Sequence, residues 1–477
     1  MSSVASAPEP DLLRTPVIGA LLLRRRLWQV PLLLLALALV AHGLFGPQLA
    51  PKNLSTLLVW VHYRGLLLVA LLCVGNLLCM ACPFMLVRDA ARRIARPLRA
   101  WPRALRGKWV GIALLVAVLF CYELFDWWAS PWATAWLILG YFAAAVSVDV
   151  LFSGAPFCKS VCPIGQFNFV ASALSPLELR PRDTQVCDSC QGHECLTGAA
   201  PVAPQQPAAR GCELGLFLPE KSGNMDCTLC LDCVRACPED NVMLSTRLPG
   251  AELFEDRSGS GVGRRSERGD LALLAIVFTF GALLNAFGMV SPVYAVQRAI
   301  AEQLGTTSEF AVLSILFVAL LVVEPVLLLA GAAAWSRRAL PERLPLVKVV
   351  MRFAQGLVPL GVGVWAAHYG FHLLTGLWTF VPVAQKALAD LGFALLGQPH
   401  WGVGGLREAV VQPIELGLLL LGAAGSMLVC WRLAQHEAPR RALAAFAPWG
   451  ALVVLLLGAA IWLLAQPMEM RGTFLGG

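Results

Sequence analysis

A run of four cysteines in the middle of the chain gives the clearest chemical signal: Cys227, Cys230, Cys233 and Cys237, the last followed by Pro238. Two residues lie between each neighbouring pair of the first three cysteines, and three residues lie between Cys233 and Cys237. This is the spacing of bacterial ferredoxins. In such runs the first three cysteines bind one iron–sulfur cluster and the fourth binds another. A structural zinc site is the alternative, but the trailing proline favours iron–sulfur ligation.

A second cluster needs cysteines of its own, and four more occur upstream of the run, where Cys212 follows the Pro- and Ala-rich loop Ala199–Ala209. We predict two [4Fe-4S] clusters, the first with the ligands Cys187, Cys190, Cys195 and Cys237. The predicted ligands of the second cluster are Cys212, Cys227, Cys230 and Cys233. The alternative partition exchanges Cys195 and Cys212. His193 lies among these cysteines and is expected to be a solvated loop residue.

Two shorter motifs each end in a cysteine followed by proline. Cys79 and Cys82 precede Pro83, and Cys158 and Cys162 precede Pro163. Each motif follows an apolar segment, so four thiols are expected at one membrane depth, where they predict a third iron–sulfur centre. A dithiol switch and buried structural thiols are the alternatives. The isolated Cys73, Cys121 and Cys430 are expected to be small core residues.

The elements that must position these motifs are membrane helices. Of the 477 residues 58% are hydrophobic and 14% are charged, which excludes a single soluble globular domain and a disordered chain. Hydropathy predicts nine membrane spans, near 27–46, 56–79, 109–128, 132–152, 270–290, 310–334, 352–380, 413–433 and 447–466. The predicted fold is therefore an all-α integral membrane protein with an inserted cytoplasmic, two-cluster ferredoxin-like α+β domain.

Basic residues predict the orientation of these spans. Arg24, Arg25 and Arg26 precede the first span, and the segment 88–108 after the second is rich in arginine. More cations follow on the same side, at Arg264, Arg265, Arg268, Arg337, Arg338, Arg343, Lys348, Arg352, Arg432, Arg440 and Arg441. The opposite side has little beyond Lys52, Arg298, Lys386, Arg407 and Arg471. We expect a multi-pass protein of a prokaryotic inner membrane, with its N-terminus cytoplasmic and its C-terminus periplasmic.

Four regions follow from this topology. They are a cytoplasmic N-terminal segment at 1–26, a four-helix membrane domain at 27–157, the cytoplasmic cluster domain with its linker at 158–269, and a five-helix membrane domain at 270–477. The linker is predicted at Arg257–Gly269 from its Gly, Ser and Arg content. Acidic residues outnumber basic ones between Leu177 and Arg257, so we expect no nucleic-acid partner. No P-loop occurs in the sequence.

Polar residues inside the predicted spans are candidates for a second site. His42, His62, His368 and His372 fall in the outer halves of their helices, where they predict a haem b or quinone site, or polar residues satisfied within the bundle. Glu324 precedes Pro325 in the middle of the sixth span. A carboxylate there favours a proton path, with a hydrogen bond that stabilises a kink as the structural alternative.

The cysteine motifs give the chain a resemblance to the membrane-bound polyferredoxins of the NosR/NapH type. The resembling stretch runs from about 56 to 241 and includes CMACPF, FCKSVCPIGQFNF, CDSCQGHECLTG and GCELGLFLPEKSGNMDCTLCLDCVRACPEDNV. The resemblance implies a cytoplasmic two-cluster domain, with the eight cysteines from Cys187 to Cys237 as ligands. In that family three residues separate the cysteines of both paired motifs, whereas two separate Cys79 and Cys82. Residues 270–477 match nothing in the resemblance.

These observations predict an electron-transfer subunit of an oxidoreductase complex rather than an enzyme with its own dehydrogenase site. The resemblance implies electron relay between the cytoplasmic clusters, which serve a cytoplasmic donor or acceptor protein, and a membrane quinone or a periplasmic cytochrome. A membrane reductase that assists the maturation of a metalloenzyme is the first alternative. A regulator that senses redox state through its clusters is the second. Donor, acceptor and direction do not follow from the sequence.

Overall fold

A computed structural model describes residues 10–95, 97–201, 208–341, 343–393 and 396–467 of the chain. These residues are mostly helical, with one small antiparallel sheet. Arg96, Arg471 and the interior of the predicted loop Ala199–Ala209 lie outside them. The protein is thus a mostly α-helical, multi-pass membrane protein, as its composition indicates.

Eight helices of the described chain are long and apolar enough to cross a membrane. They are Arg26–Phe45, Leu54–Val74, Pro131–Leu151, Gly269–Phe287, Glu309–Ser336, Leu346–Thr375, Glu408–Glu437 and Ala442–Leu464. The remaining predicted span, 109–128, forms the 16-residue helix Trp109–Leu124. At 1.5 Å per residue this helix measures about 24 Å, which is shorter than a bilayer core of about 30 Å. It ends early because the chain turns at Asp126, whose backbone is left-handed with φ +46°.

The chain divides into two compact units, and the first contains all twelve cysteines of the predicted clusters. This first unit comprises Met1–Leu34, Ala70–Gly107 and Ala144–Arg265. Its sheet pairs β1 (Leu177–Pro181) with β2 (Val242–Thr246) in antiparallel register, from Leu177 opposite Thr246 to Pro181 opposite Val242. Its shorter helices are Pro16–Leu23, Leu77–Met80, Pro83–Ile94, Pro163–Ala171, Thr184–Asp188, Glu194–Thr197, Asp232–Ala236 and Ala251–Glu255.

The predicted linker Arg257–Gly269 begins as part of this packed unit. Arg265 is buried, and its guanidinium donates to a carboxylate oxygen of Glu252 at 2.6 Å. Arg247 donates to the other oxygen of Glu252 at 2.5 Å. A buried carboxylate needs cationic partners, and the predicted linker supplies one of them in Arg265.

The second unit comprises Leu35–Val69, Lys108–Ala143 and Ser266–Gly477. Its shorter helices include Pro292–Leu304 and Phe380–Asp390. Gly363 and Gly422 let the helices Leu346–Thr375 and Glu408–Glu437 pack closely, because a Cβ atom at Gly363 would lie 2.9 Å from the carbonyl oxygen of Leu418. Small residues serve this purpose at helix interfaces in membranes.

Candidate metal centres

The thiols of Cys187, Cys190, Cys195 and Cys237 form one group. Asn241 joins the first to the last: its side-chain amide donates to Cys187 Sγ at 3.3 Å and its backbone N–H to Cys237 Sγ at 3.4 Å. Burial raises the pKa of Cys195, and the neighbouring thiols Cys187, Cys237 and Cys190 raise it further. All four cysteines line one cavity. These four thiols therefore lie together, as in the predicted first ligand set. The group contains Cys195, whereas the alternative partition would place Cys212 in it.

The thiols of Cys212, Cys227, Cys230 and Cys233 form a second group. Burial raises the pKa of Cys230, and Cys212 and Cys227 are among the neighbours that raise it further. The loop from Cys227 to Cys233 turns sharply because Leu229 and Leu231 have left-handed backbones, with φ of +50° and +61°. This turn exposes backbone N–H groups, and that of Leu229 donates to the thiol of Cys227.

The two groups are neighbours, since Cys195 of the first acts electrostatically on the thiol of Cys233 in the second. The second group is more enclosed at one cysteine: Cys227 is 8% exposed, whereas its other three cysteines and all four of the first group are half-buried. In the described part of the chain, no three His, Cys, Asp or Glu side chains converge as ligands of a single metal ion.

The paired Cys-Pro motifs come together as a third group, formed by Cys79, Cys82, Cys158 and Cys162. Burial raises the pKa of Cys162, and both Cys82 and Cys79 are among the neighbours that raise it further. Cys82 and Cys162 precede the helices Pro83–Ile94 and Pro163–Ala171, each of which has proline at its first position. Proline suits that position because the missing N–H has no helical partner there.

These helix N-termini supply hydrogen-bond donors to the thiols. Gly165 N–H donates to Cys162 Sγ at 3.2 Å, and the N–H groups of Phe84 and Met85 donate to Cys82. A Cβ atom at Gly165 would lie 2.9 Å from the carbonyl oxygen of Cys158, so only glycine fits. Donors at a helix N-terminus stabilise a thiolate. These donors belong to the helices that begin at Pro83 and Pro163. The Cys-Pro motif alone does not predict that a helix begins there.

The third group contacts the second. Asn76, in the turn before Cys79, donates from its side chain to the carbonyl oxygen of Cys227 at 2.8 Å. Burial raises the pKa of Cys79 to about 12, a hydrogen bond from Asn168 opposes this rise, and Cys82 and Cys227 add to it. The Asn168 amide lies 3.2 Å from Cys79 Sγ. Sequence analysis missed Asn76 and Asn168, although polar residues flanking a cysteine motif are a usable signal.

A buried ion network supports the loops that carry this third group. Arg88 is 1% exposed, and its guanidinium lies 3.1 Å from Asp149 and 2.9 Å from Glu213. Arg92 contacts Glu213 at 2.8 Å. Asp149 also accepts from the backbone N–H of Phe157, next to Cys158. Arg88, one cation of the arginine-rich segment 88–108, thus has its charge neutralised inside the protein.

The predicted histidine site lies in the second unit, and two of its members bond the backbone. His42 Nδ1 accepts the N–H of Leu54 at 3.1 Å. His62 is buried, with its ring nitrogens 3.1 Å from the carbonyl of Leu57 and 3.3 Å from that of Leu377. Both ring nitrogens of His62 thus contact the backbone, which leaves neither for a metal, whereas in His42 this contact involves Nδ1.

His368 and His372 are buried side by side on the helix Leu346–Thr375, with ring centroids 5.1 Å apart and planes at 90°. His372 is 2% exposed, and its Nε2 has no hydrogen-bond partner in the described residues. Arg64 acts electrostatically on this ring. The Nε2 atom of His372 is therefore available to a ligand.

Arg64 is a residue that the sequence analysis missed. It lies near the middle of the span Leu54–Val74, where its guanidinium is 5.4, 5.3 and 4.6 Å from the ring centroids of Trp60, Tyr122 and Tyr369. No carboxylate within the described residues forms an ion pair with it. A lone cation in an apolar span is rare and marks a functional site. Its signal was visible in the sequence as one arginine within an otherwise apolar segment.

Glu324 and the isolated cysteines complete the set of predicted residues. Glu324 is half-buried where the π-helical turn Ala319–Val323 passes into the helix Glu324–Ser336, and it bonds no residue that the structure describes. Cys430 is buried and Cys121 is half-buried. The expectation of a core position was wrong for Cys73, which is exposed on a membrane span, where lipid can surround an apolar thiol.

Comparison with known proteins agrees with the predicted resemblance over part of the chain. The sequence is 27% identical over 186 residues to the ferredoxin-type protein NapH of Haemophilus influenzae, and 25% identical over 178 residues to that of Escherichia coli. Each match covers 35% of this chain and spans 60% of the relative's length. No family model and no solved structure matches. Over about a third of its length, then, the chain is similar to ferredoxin-type NapH proteins.

Proposed function

We propose that the protein is a membrane-bound iron–sulfur electron carrier with three adjoining cysteine centres. The observation that carries this proposal is the continuity of the three thiol groups. Cys195 neighbours Cys233, and Cys79 neighbours Cys227. Twelve cysteines that span 159 positions of sequence thus form one connected set. Inert core cysteines have no reason to gather in fours, whereas centres that exchange electrons must lie close together.

The two thiol groups at Cys187–Cys237 fit [4Fe-4S] clusters by their chemistry. Each group has four cysteines. The four of the first group, Cys187, Cys190, Cys195 and Cys237, line one cavity. N–H donors reach the sulfurs, as at Asn241 and Leu216, which lies 3.4 Å from Cys212 Sγ. Such donors tune cluster potentials. When bound, each cluster supplies one-electron transfer, while the protein sets the position and polarity of its surroundings.

The third thiol group, with Cys79, Cys82, Cys158 and Cys162, fits a further iron–sulfur centre. Burial raises the pKa of Cys158 well above its ordinary value, so the group deprotonates only when a positive charge compensates for burial. A metal centre provides that charge. The helix N-termini at Pro83 and Pro163 favour thiolates, which are the form that ligates metal.

The exposure of the three thiol groups supports an order in which electrons pass between them. The half-buried first group, at Cys187 and Cys190, would exchange electrons with a soluble donor or acceptor protein. The enclosed second group, at Cys227, would connect it to the third. The third group directly follows the membrane span Leu54–Val74, where electrons enter or leave the bilayer. In this proposal the soluble partner is cytoplasmic, because basic loops favour that side.

Within the second unit, Arg64 and His372 support a membrane quinone as the far partner. A quinone gains negative charge on its oxygens as it is reduced, and Arg64 is a half-buried cation that pairs with no carboxylate of the described residues. His372 Nε2 can donate to or accept from a quinone oxygen. The engaged ring nitrogens of His62 make haem ligation the weaker alternative.

The test is iron content and EPR of the full chain, purified without oxygen. Two [4Fe-4S] clusters hold about eight irons, and a third of the same kind raises the total to about twelve. Cys230→Ala should remove at least one cluster. Cys79→Ala and Cys162→Ala should each abolish the same additional signal while the other two persist. Cys73→Ala is the matched control, since Cys73 is exposed and belongs to no group.

Two results would contradict the proposal. Full iron content in the Cys230→Ala protein would refute the ligand assignment of the second group. Iron near eight per chain, together with ready alkylation of Cys79, Cys82, Cys158 and Cys162 in native protein, would exclude a third centre. The four paired cysteines would then be a thiol switch or structural residues.

A further inference from the structure

A large basic cleft in the first unit takes no part in the proposed electron path. Its volume is about 1180 Å³, and its wall includes Leu23, Leu27 and the segment Ala236–Pro238. Six arginines line it: Arg24, Arg25, Arg26, Arg93, Arg210 and Arg235. Asp232 is the one carboxylate among the described residues of the wall. The cleft thus carries a strong excess of positive charge.

Three of these arginines are already neutralised by the protein. Arg25 lies 2.9 Å from Asp232, Arg235 lies 3.1 Å from the same carboxylate, and Arg210 lies 2.9 Å from Asp89. The pair of Arg25 with Asp232 joins the start of the first membrane helix to the helix Asp232–Ala236. The three ion pairs hold the wall of the cleft in place, but they do not involve its other three arginines.

Arg24, Arg26 and Arg93 are exposed and form no ion pair with any residue that the structure describes. Three uncompensated guanidinium groups around one cleft repel one another. Arginine is suited to phosphate because its planar group donates two parallel hydrogen bonds. The ligand that this cleft fits best is therefore a phosphate-bearing anion.

The position of the cleft identifies the source of that phosphate. Arg26 is the first residue of the membrane helix Arg26–Phe45, and Leu27 is the second. Arg93 lies in the last turn of the helix Pro83–Ile94, where Ile94 is 92% exposed. A helix start and an exposed isoleucine beside arginines are features of the headgroup level of a bilayer. Phospholipid phosphates are concentrated at that level.

We infer that this cleft binds the headgroup of an anionic phospholipid, with Arg24, Arg26 and Arg93 on its phosphate. Basic pockets beside membrane helices bind such headgroups. The bound lipid would lie against Cys237 and Pro238, and so would hold the cysteine-rich part of the chain to the membrane surface. The site is independent of what the cysteines bind. An acidic protein partner is the competing occupant, which the headgroup level and the leucines of the wall disfavour.

The test titrates the purified full chain in neutral detergent with dioctanoyl phosphatidylglycerol and, separately, with dioctanoyl phosphatidylcholine. We expect the anionic lipid to bind more tightly by at least about tenfold, as each arginine near a membrane surface contributes about 1 kcal/mol. The R24Q/R26Q/R93Q variant should lose this preference. The matched control is R338Q/R440Q/R441Q, which removes three exposed arginines that do not line the cleft.

Folding and alternative ligands are checked in the same experiment. Unchanged thermal unfolding of both variants would show that lost binding is not lost structure. Equal binding by the R24Q/R26Q/R93Q variant and the control would overturn the inference. Displacement of the lipid by equimolar glycerol 3-phosphate would also overturn it, in favour of a free-phosphate site. Displacement by polyglutamate without a preference for the anionic lipid would assign the cleft to an acidic protein instead.

Discussion

The side-chain amide of Asn76 donates a hydrogen bond of 2.8 Å to the carbonyl oxygen of Cys227, a residue 151 positions away in sequence. Asn76 is 1% exposed, and its amide also donates to Ser172 Oγ at 3.2 Å. One side chain therefore ties the turn before Cys79 to the loop that begins the ferredoxin-type cysteine run. Relative motion of these two loops would change the distance between the second and third thiol groups.

Replacing Asn76 by alanine should loosen this connection. A buried carbonyl that loses its donor costs about 1–3 kcal/mol, so we expect a lower midpoint of thermal unfolding and faster alkylation of Cys79. Ser172→Ala is the control, because it removes the longer hydrogen bond and leaves the contact with Cys227. An Asn76→Ala protein that matches wild type in both measurements would show that this contact does not hold the loops together.

Replacing Arg88 by glutamine should be strongly destabilising. The change leaves Asp149, which is 0% exposed, without its cation, and breaking a buried ion pair in this way costs about 3–5 kcal/mol. The double variant Arg88→Gln with Asp149→Asn removes both charges and should recover part of the loss. Thermal unfolding of the four proteins in one detergent measures the coupling, and additive effects would argue against a direct interaction.

Acid should weaken the first unit through Glu252. Burial opposes ionisation of this carboxyl group, but Arg265 and Arg247 outweigh burial and hold its pKa below the ordinary value of 4.5. The ionised form therefore stabilises the fold fully above pH 4.5, and this contribution is lost as the pH falls through the lowered folded-state pKa.

Urea unfolding between pH 7 and pH 3 measures this contribution. Glu252→Gln should lower stability at pH 7 and flatten its dependence on pH below 4.5. Glu255→Gln, on the same short helix, is the control, because Glu255 is more exposed and pairs only with the exposed Arg257. Parallel pH curves for wild type and Glu252→Gln would contradict the assignment.

Reporter fusions test the orientation predicted from the basic loops. A reporter active only in the cytoplasm should be active when fused after Gly223, and one active only in the periplasm should be active after Gln466. This expectation rests on the arginine-rich segment 88–108 and on the basic loops predicted on the same side. Cytoplasmic activity at both positions would mean an even number of spans between them, so that one of the five apolar helices after Gly223 does not cross the membrane.

Local patterns in the sequence were sufficient for the membrane helices and for the cysteine motifs. The eight long helices begin and end within a few residues of the predicted spans, because the length of an apolar run decides whether it can cross a bilayer. The run from Cys227 to Cys237 is also local, since its spacing is set by one turn of backbone. The length of the helix that begins at Trp109 was overestimated, because hydropathy does not detect the backbone turn at Asp126.

Only the tertiary structure decided which distant residues are neighbours. The proximity of Cys237 to Cys187, and of Cys79 to Cys227, depends on the path of the whole first unit. Burial of Arg88 likewise depends on Asp149 and Glu213, which come from separate segments. The environment of a charge or thiol is set by contacts between segments far apart in sequence, so composition and spacing could propose these residues but could not place them.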